Sequence, residues 1–594
     1  MIRRIFILGM AVSVSLVSLL LLQTRLEAAA GPQTVEVGGT LTEDTVWTAV
    51  NSPYVLTSTL FIPDGITLTV EPGVTVLGQS YGGIIVQGEI VAIGTAVSPI
   101  TFTSVTDSAP GEWPGLLFWD GVGHFEHVAI RYGGEVVLDP INGWPQSGAN
   151  INVPYVPPDL NNSNLILRDV QIQGSSGFGI FLPINLFNQS ELTNVTFTEN
   201  ITNRVQLITS VSFPITTNVT LSPQPGLDGY EFEGGLIMDA GTLTLEPGVT
   251  LFCASDAGIV MQNGGHLTAV GTSQHPITFT KVTDTAVNRW GGIFFWDGSA
   301  ELVHTRIRFA GADVGQQAVS ALHVYEVPDG QAAVLENSTI EGSGGYAIAV
   351  EVDNLHQLHL QNNQFINNAQ NRILLLPDID GGDGTLAGSA NLPGQSGLES
   401  YDLLAPGLVV PTGMTLTVGA GAAVMSANGV GLRVDGGHLA VLGTQTAPVQ
   451  FTSAADNGPG EWAGLQLVNG TAVFDHAEFR FGVDNLVVSN TAVSLQNSQI
   501  HDASNNGIYV ASSGTPALTI SDSAIFNNGG AGLQNDNVVQ VDARNVWWGS
   551  QTGPAGDGTG SGDAVWGNVL FVPWLEAWDV APSYELYLPT VIIP

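Results

Sequence analysis

Three histidines are the first residues in this chain whose type and spacing could do chemistry. His127, His304 and His476 each open the pattern His-x-x-apolar-Arg, which closes on Arg131, Arg308 and Arg480. An imidazole near a guanidinium could bind a metal or act as a base beside a charge-stabilising group. The spacing argues otherwise. The steps from one histidine to the next are 177 and 172 residues, and the arginines repeat the same two steps. One centre would need all three copies to converge, whereas regular recurrence marks a repeated structural position. No P-loop, dinucleotide fingerprint, nucleophile elbow or zinc spacing occurs. Asp378-Ile-Asp380-Gly-Gly-Asp383-Gly matches a calcium loop only in part. Its spacing departs from the EF-hand and no later Glu completes it, so a solvated turn is the simpler reading. The sequence therefore predicts no catalytic residues, no metal ligands and no cofactor, with Ca²⁺ the one ion left in play.

Aromatic residues offer a different chemistry, the stacking of a flat ligand or sugar ring. Three segments align after a shared tryptophan: Leu116-Leu117-Phe118-Trp119, Ile293-Phe294-Phe295-Trp296 and Leu465-Gln466-Leu467-Val468. Strand alternation puts Gln466 and its counterparts on one face. A glutamine there makes that face the outer one, so Trp119 and Trp296 point outward as well. The following loops vary with them. Between Gly133 and Leu167 a long stretch carries Trp144, Pro154, Tyr155, Pro157 and Pro158; the second copy has the shorter Val324-Tyr325-Glu-Val-Pro328; the third is short. Either each Trp lies under its own loop or the group forms a ligand platform. Trp119, Trp144, Tyr155, Trp296 and Tyr325 are the candidate ligand-binding residues.

The elements that must position them follow from internal repeats. Leu68-Thr-Val-Glu71-Pro72-Gly73 returns as Leu243-Thr-Leu-Glu246-Pro247-Gly248, and as Leu416-Thr-Val-Gly-Ala-Gly421 without the Glu-Pro. Gly88 to Thr95, Gly265 to Thr272 and Gly437 to Thr444 align next, followed by Pro99-Ile-Thr-Phe102, Pro276-Ile-Thr-Phe279 and Pro448-Val-Gln-Phe451. Trp113, Trp290 and Trp462 follow in step. These copies predict modules at 31–211, 212–383 and 384–545, set between a leader at 1–30 and a C-terminal cap with an apolar tail at 546–594.

Within a module the texture is short apolar alternation, such as Ile84-Ile-Val86, broken every few residues by Gly, Asn, Asp or Pro. That is strand period with turn punctuation, and no helical stripe is sustained. The texture recurs at roughly 20–25 residues, a rung-like spacing. Coiled rungs pair each strand with the next at about 4.8 Å. Asn or Asp three residues before an apolar residue, as in Asn337-Ser-Thr-Ile340 and Asn497-Ser-Gln-Ile500, suits a corner where the backbone leaves the strand region. The three histidines occupy this same position. The fold class predicted is an all-β, single-stranded right-handed parallel β-helix.

Asn545-Val-Trp547-Trp548-Gly549, then Gly553-Pro554 and Phe571-Val-Pro573-Trp574, resembles the terminal motif of many bacterial right-handed β-helix proteins of the pectate-lyase-like superfamily. The Gly-Thr-x-x-x-Pro-Ile-x-Phe-Thr segment is similar to that group too. The resemblance implies the architecture over most of residues 35–575. It does not carry one activity, because the superfamily hosts lyases, hydrolases, adhesins and scaffolds. Pectate lyases of this fold use clustered carboxylates for Ca²⁺ and a basic proton acceptor. Here Lys281 is the only lysine, and the polygalacturonase segments Asn-Thr-Asp, Asp-Asp, Gly-His-Gly and Arg-Ile-Lys are missing.

Composition narrows the partners. The 594 residues hold 53 acids against 14 bases, a formal charge of −39. Such a field repels phosphate backbones, so nucleic acid is not an expected partner. Arg3-Arg4, the apolar run Ile5 to Leu22 and Ala28-Ala29-Ala30 read as an export signal. No membrane span is expected once it is cleaved. Cys253 is the only cysteine, so no internal disulfide forms. The expected protein is a secreted or cell-surface β-helix, a non-catalytic scaffold that adheres to or binds an extracellular polysaccharide or cell-envelope component. The alternative is a lyase or glycoside hydrolase acting on an acidic glycan.

Overall fold

A computed structural model describes residues 34–135, 148–154, 162–209, 214–254, 257–286, 289–313, 315, 318–377 and 382–578. The leader at 1–30, Trp144, Tyr155, most of the Asp378–Asp383 loop and the apolar tail lie outside them. Strand accounts for 53% of the chain, and the helices are short 3-10 turns such as Ile184–Asn188. Among the described residues no helix is long and apolar enough to cross a membrane. The chain divides into two compact units. One runs to Ile208 and includes Pro223–Glu231; the other holds Thr209–Ser222 and everything from Phe232 onward.

Each unit is a parallel β-solenoid, as the sequence predicts. In the first, Val70 pairs with Ala92, Ala92 with Phe125, and Phe125 with Leu167. All four face inward and are at most 1% exposed. In the second, Leu416, Leu439, Ala472, Val493 and Leu518 form an equivalent inward column. Some rungs have the length the texture predicts, whereas Ala92 to Phe125 and Phe125 to Leu167 span 33 and 42 residues. Leu486 lies beside Ile508 and Ile508 beside Leu533, rungs of 22 and 25 residues. Each fully buried Leu, Ile or Phe contributes about 1.5–3 kcal/mol of apolar burial, and stacked rungs supply such residues continuously. Cys253 is one of these inward residues, fully buried, and burial pushes its thiol up.

The corners explain the recurring polar residues. His127, His304 and His476 have φ of 50°, 49° and 51°. Asp169, Asn337 and Asn497 have 51°, 50° and 51°. Short polar side chains tolerate this left-handed backbone because they bond locally. They also bond to the neighbouring rung: Asn194 Nδ2 donates to Asp169 Oδ1 at 2.5 Å and Asn497 Nδ2 to Asp475 Oδ1 at 2.9 Å. The apolar residues three positions on, Ile172, Ile340 and Ile500, are wholly buried.

The arginines of the same motif serve the next turn. Asp107, Asp284 and Asp456 sit at φ of 48°, 46° and 47°. Each accepts a bond from Thr103, Thr280 or Thr452. Each also pairs with Arg131 at 2.9 Å, Arg308 at 2.6 Å or Arg480 at 2.7 Å. Beside them, the buried indoles of Trp113, Trp290 and Trp462 donate to the carbonyls of Arg131, Arg308 and Arg480 at 2.8, 2.7 and 2.8 Å. The His-to-Arg motif is thus a corner, a rung and a turn clamp.

Two details correct the sequence reading. The stretch before Tyr54, which the sequence offers as an N-terminal cap for the solenoid, also forms a strand, Val35–Thr40, paired with Tyr54–Ile62. Val324-Tyr325-Glu326 is not a loop either, because Ser320–Glu326 is a strand. Pro328 and Gly330 punctuate the chain just beyond it, and the turn begins there.

Candidate functional site

The outer aromatic group of the second unit is built by two adjacent strands, Gly292–Val303 and Ser320–Glu326. Ile293, Phe295, Leu322 and Val324 point into the core and are at most 1% exposed. Alternation turns Phe294, Trp296, His323 and Tyr325 outward. Phe294 pairs with His323 and Phe295 with Val324; the register then slips, so that Trp296 pairs with Glu326. This bulge sets Tyr325 and Glu326 opposite one tryptophan. Bulges re-aim side chains in this way and are common beside sites.

The result is a continuous stack of four rings. Phe294 lies 6.1 Å from His323 at 25°, His323 lies 3.8 Å from Tyr325 at 8°, and Tyr325 lies 4.9 Å from Trp296 at 16°. Three of the rings are buried and the last is open: Trp296 is 51% exposed and Tyr325 4%. Trp296 therefore does not lie under a loop. Its indole is backed by a buried phenol, which fixes its orientation and leaves half of the ring to solvent. Parallel aromatic contacts of this kind are worth about 0.5–1.5 kcal/mol beyond burial.

His323 is the buried member with the most constrained chemistry. Its Nδ1 is 3.3 Å from Ser320 Oγ, while its Nε2 is buried without a hydrogen-bond partner. Burial pushes its pKa down to about 3. The ring is therefore neutral at physiological pH and serves as an aromatic spacer. The outer surface continues as apolar packing on the following rungs, where Ala349, Leu374 and Leu376 are buried against Ala318 and Tyr346.

The other predicted aromatics are not brought into this group. Trp119 is half-buried in the first unit, its backbone N–H bonded to Val86 O at 2.8 Å. Trp144 and Tyr155 lie outside the described residues. Phe294 and His323, which complete the stack, were missed from sequence. The alternation His323-Val324-Tyr325 carried the signal, but it was assigned to a loop.

A second cluster has the composition of a catalytic centre. His501 Nδ1 lies 2.7 Å from Asp502 Oδ2, and its Nε2 lies 3.2 Å from Glu478 Oε1. Arg480 bridges Glu478 and Asp456, each at 2.7 Å. Burial alone would raise the Glu478 carboxyl, but His501 and Arg480 outweigh it and hold its pKa down to about 2. Burial would lower His501, but Asp502 and Glu478 outweigh it and hold the imidazole above its usual value. With both nitrogens engaged and 2% of its side chain exposed, His501 has no face for a substrate. A carboxylate held that low is a poor proton acceptor. The cluster is a charged clamp between rungs, with Phe526 stacked on His501 at 4.8 Å.

Among the described residues no group of three His, Cys, Asp or Glu is arranged to hold a metal ion. Residues 39–133 and 214–320 match the family model of the pectate-lyase like beta helix domain. A search of the curated proteins gives no match. The matched stretches contain the corner histidines and the tryptophans of the first two copies, so the likeness is one of architecture, and fold alone does not carry function.

Proposed function

From the pectate-lyase-like β-helix fold as premise, we propose that this chain is an exported, non-catalytic scaffold that binds extracellular polysaccharide through the Trp296 platform. The supporting observation is the half-exposed indole of Trp296, held parallel to the buried Tyr325 ring at 4.9 Å. A ring fixed in advance loses little freedom when a sugar stacks on it. Asp297 and Glu326 flank the indole and offer acceptors for sugar hydroxyls. Export is supported by the basic, apolar and small-residue leader in residues 1–30. A cell-envelope polysaccharide is the partner this placement fits.

The test is affinity electrophoresis of residues 31–594 in gels containing single polysaccharides, run alongside Trp296→Ala. Retardation by at least one polymer, largely abolished in the variant, is the expected result. Equal retardation of both proteins by every polymer that retards them would remove the platform from the account. Release of reducing ends or unsaturated products from the retained polymer would replace binding with catalysis.

A further inference from the structure

One sheet of the second unit carries an outer column that reaches solvent on every rung. Its strands are Leu408–Pro411, Gly431–Asp435, Gly464–Val468, Leu486–Ser489, Ile508–Val510, Leu533–Asn535 and Gly562–Gly567. Their register aligns Arg433, Gln466, Val487, Tyr509, Gln534 and Trp566 on six consecutive rungs. Directly behind them, Leu486, Ile508, Leu533 and Val565 are wholly buried, which pins the backbone. Trp566 is 47% exposed, and the other five members are half-buried.

The column is organised before any ligand arrives. Asp536 accepts from Tyr509 Oη at 3.0 Å and from Gln534 Nε2 at 2.8 Å, so one carboxylate fixes two neighbouring rungs. Gly556 lies under the Trp566 ring, where a Cβ would come within 3.2 Å of it. The one cation in the column is already neutralised, because Arg433 bonds Asp435 at 3.0 Å and Gln466 at 3.3 Å. The surrounding field is negative. Asp435, Asp484, Asp536 and Asp557 flank the column, and the Asp536 hydrogen bond with the nearby Asp484 charge raises the Tyr509 phenol.

We infer that this column is a second glycan site, a linear strip for an extended, uncharged polysaccharide that stacks on Trp566 and Tyr509 and hydrogen-bonds to Gln534 and Gln466. Three observations define the ligand class. Two aromatic rings two rungs apart, at about 4.8 Å per rung, match alternate pyranose rings of a straight chain. The amide of Gln534 on the rung between them, and that of Gln466 two rungs beyond Tyr509, suit hydroxyl groups. The flanking carboxylates repel uronates and sulfates and accept bonds from neutral sugars. The inference rests on the polysaccharide-binding reading but uses residues outside the Trp296 platform.

Isothermal titration of the 31–594 protein with cellohexaose, mannohexaose, chitohexaose and hexagalacturonate tests it, with Trp566→Ala, Tyr509→Ala and Trp296→Ala measured in parallel. At least one neutral hexamer is expected to bind, with hexagalacturonate at least tenfold weaker. Trp566→Ala and Tyr509→Ala should each weaken the neutral hexamer about tenfold, and Trp296→Ala should leave it within twofold. The trisaccharide of the same sugar should bind more weakly than the hexamer, since it spans fewer rungs. The strip is overturned if no neutral hexamer binds, if hexagalacturonate binds best, or if neither column variant changes affinity. Sedimentation showing a dimer that Trp566→Ala dissolves would also overturn it, assigning the face to a second copy. Binding that depends on Trp296 alone removes the strip and leaves the Trp296 platform standing.

Discussion

Phe294 and Gln466 occupy corresponding positions in two aligned strands, and both side chains point away from the core of the second unit. Their fates differ. Around Phe294 the outer surface is closed: Phe294 is 6% exposed, His323 is wholly buried, and Ala349, Leu374 and Leu376 continue the apolar packing. Around Gln466 it is open, from Arg433 through Tyr509 to Trp566. The same strand geometry thus yields a second small core in one region and a ligand-accessible surface in the other. The composition of the outward column decides between them. Consecutive apolar residues recruit cover because exposing them costs about 25 cal/mol per Å², whereas Gln, Tyr and Arg remain stably solvated.

The largest test of this contrast is truncation at matched outward positions. Phe294→Ala should cost about 3–5 kcal/mol, as for a core aromatic, while Tyr509→Ala should cost no more than about 1 kcal/mol, as for a surface residue. Urea unfolding followed by tryptophan fluorescence would show this as a clear midpoint shift for the first and little for the second. Equal costs would erase the distinction between the two regions.

The histidines of the unit sharpen it next, because they respond to pH with opposite sign. His323 titrates at about 3 in the fold, below its ordinary value of 6.5. Between those values the unfolded chain takes up a proton that the fold refuses, so stability falls as pH drops through that window. His501 is raised in the fold by Asp502 and Glu478, despite its burial. Its contribution is complete below 6.5 and is lost as pH rises through the folded value. Glu478 adds stability above about 4.5 that is lost as pH falls toward about 2. Stability measured from pH 3 to 9 should therefore show a flatter acid limb in His323→Phe and a flatter alkaline limb in His501→Gln. Identical curves for wild type and both variants would contradict these assignments.

The corners give the smallest effect and apply to both regions alike. Asn497→Ala places an alanine at φ 51° and removes the bond to Asp475. The expected cost is about 1–2 kcal/mol, and Asn497→Gly should recover most of the backbone part. Thermal unfolding of the two variants separates strain from the lost hydrogen bond.

The comparison also shows what the sequence makes legible. The His-x-x-apolar pattern reports a left-handed corner before an inward residue, because both requirements are local. Trp113, Trp290 and Trp462 stand out for the same reason: each closes a turn onto a carbonyl 18 positions away. Alternation says which side of a strand faces out, and it placed Gln466 and Trp296 correctly. It does not say what lies on that side. The cover over Phe294 and the ring of His323 come from other rungs. The bulge that aligns Tyr325 with Trp296 is a one-residue slip between strands 25 or more positions apart. Tyr509, Gln534 and Trp566 were overlooked because each is unremarkable alone and becomes a column only once rung lengths are known.

The most direct measurement is hydroxyl-radical footprinting of the folded 31–594 protein, read residue by residue by mass spectrometry. Trp296, Tyr509 and Trp566 should be labelled readily, while Phe294, His323 and Tyr325 should be protected until the chain is unfolded. Labelling of Phe294 and Tyr325 at the rate of Trp566 would contradict the account, because the outer surface would then be uniform and neither the platform nor the strip would be a defined site.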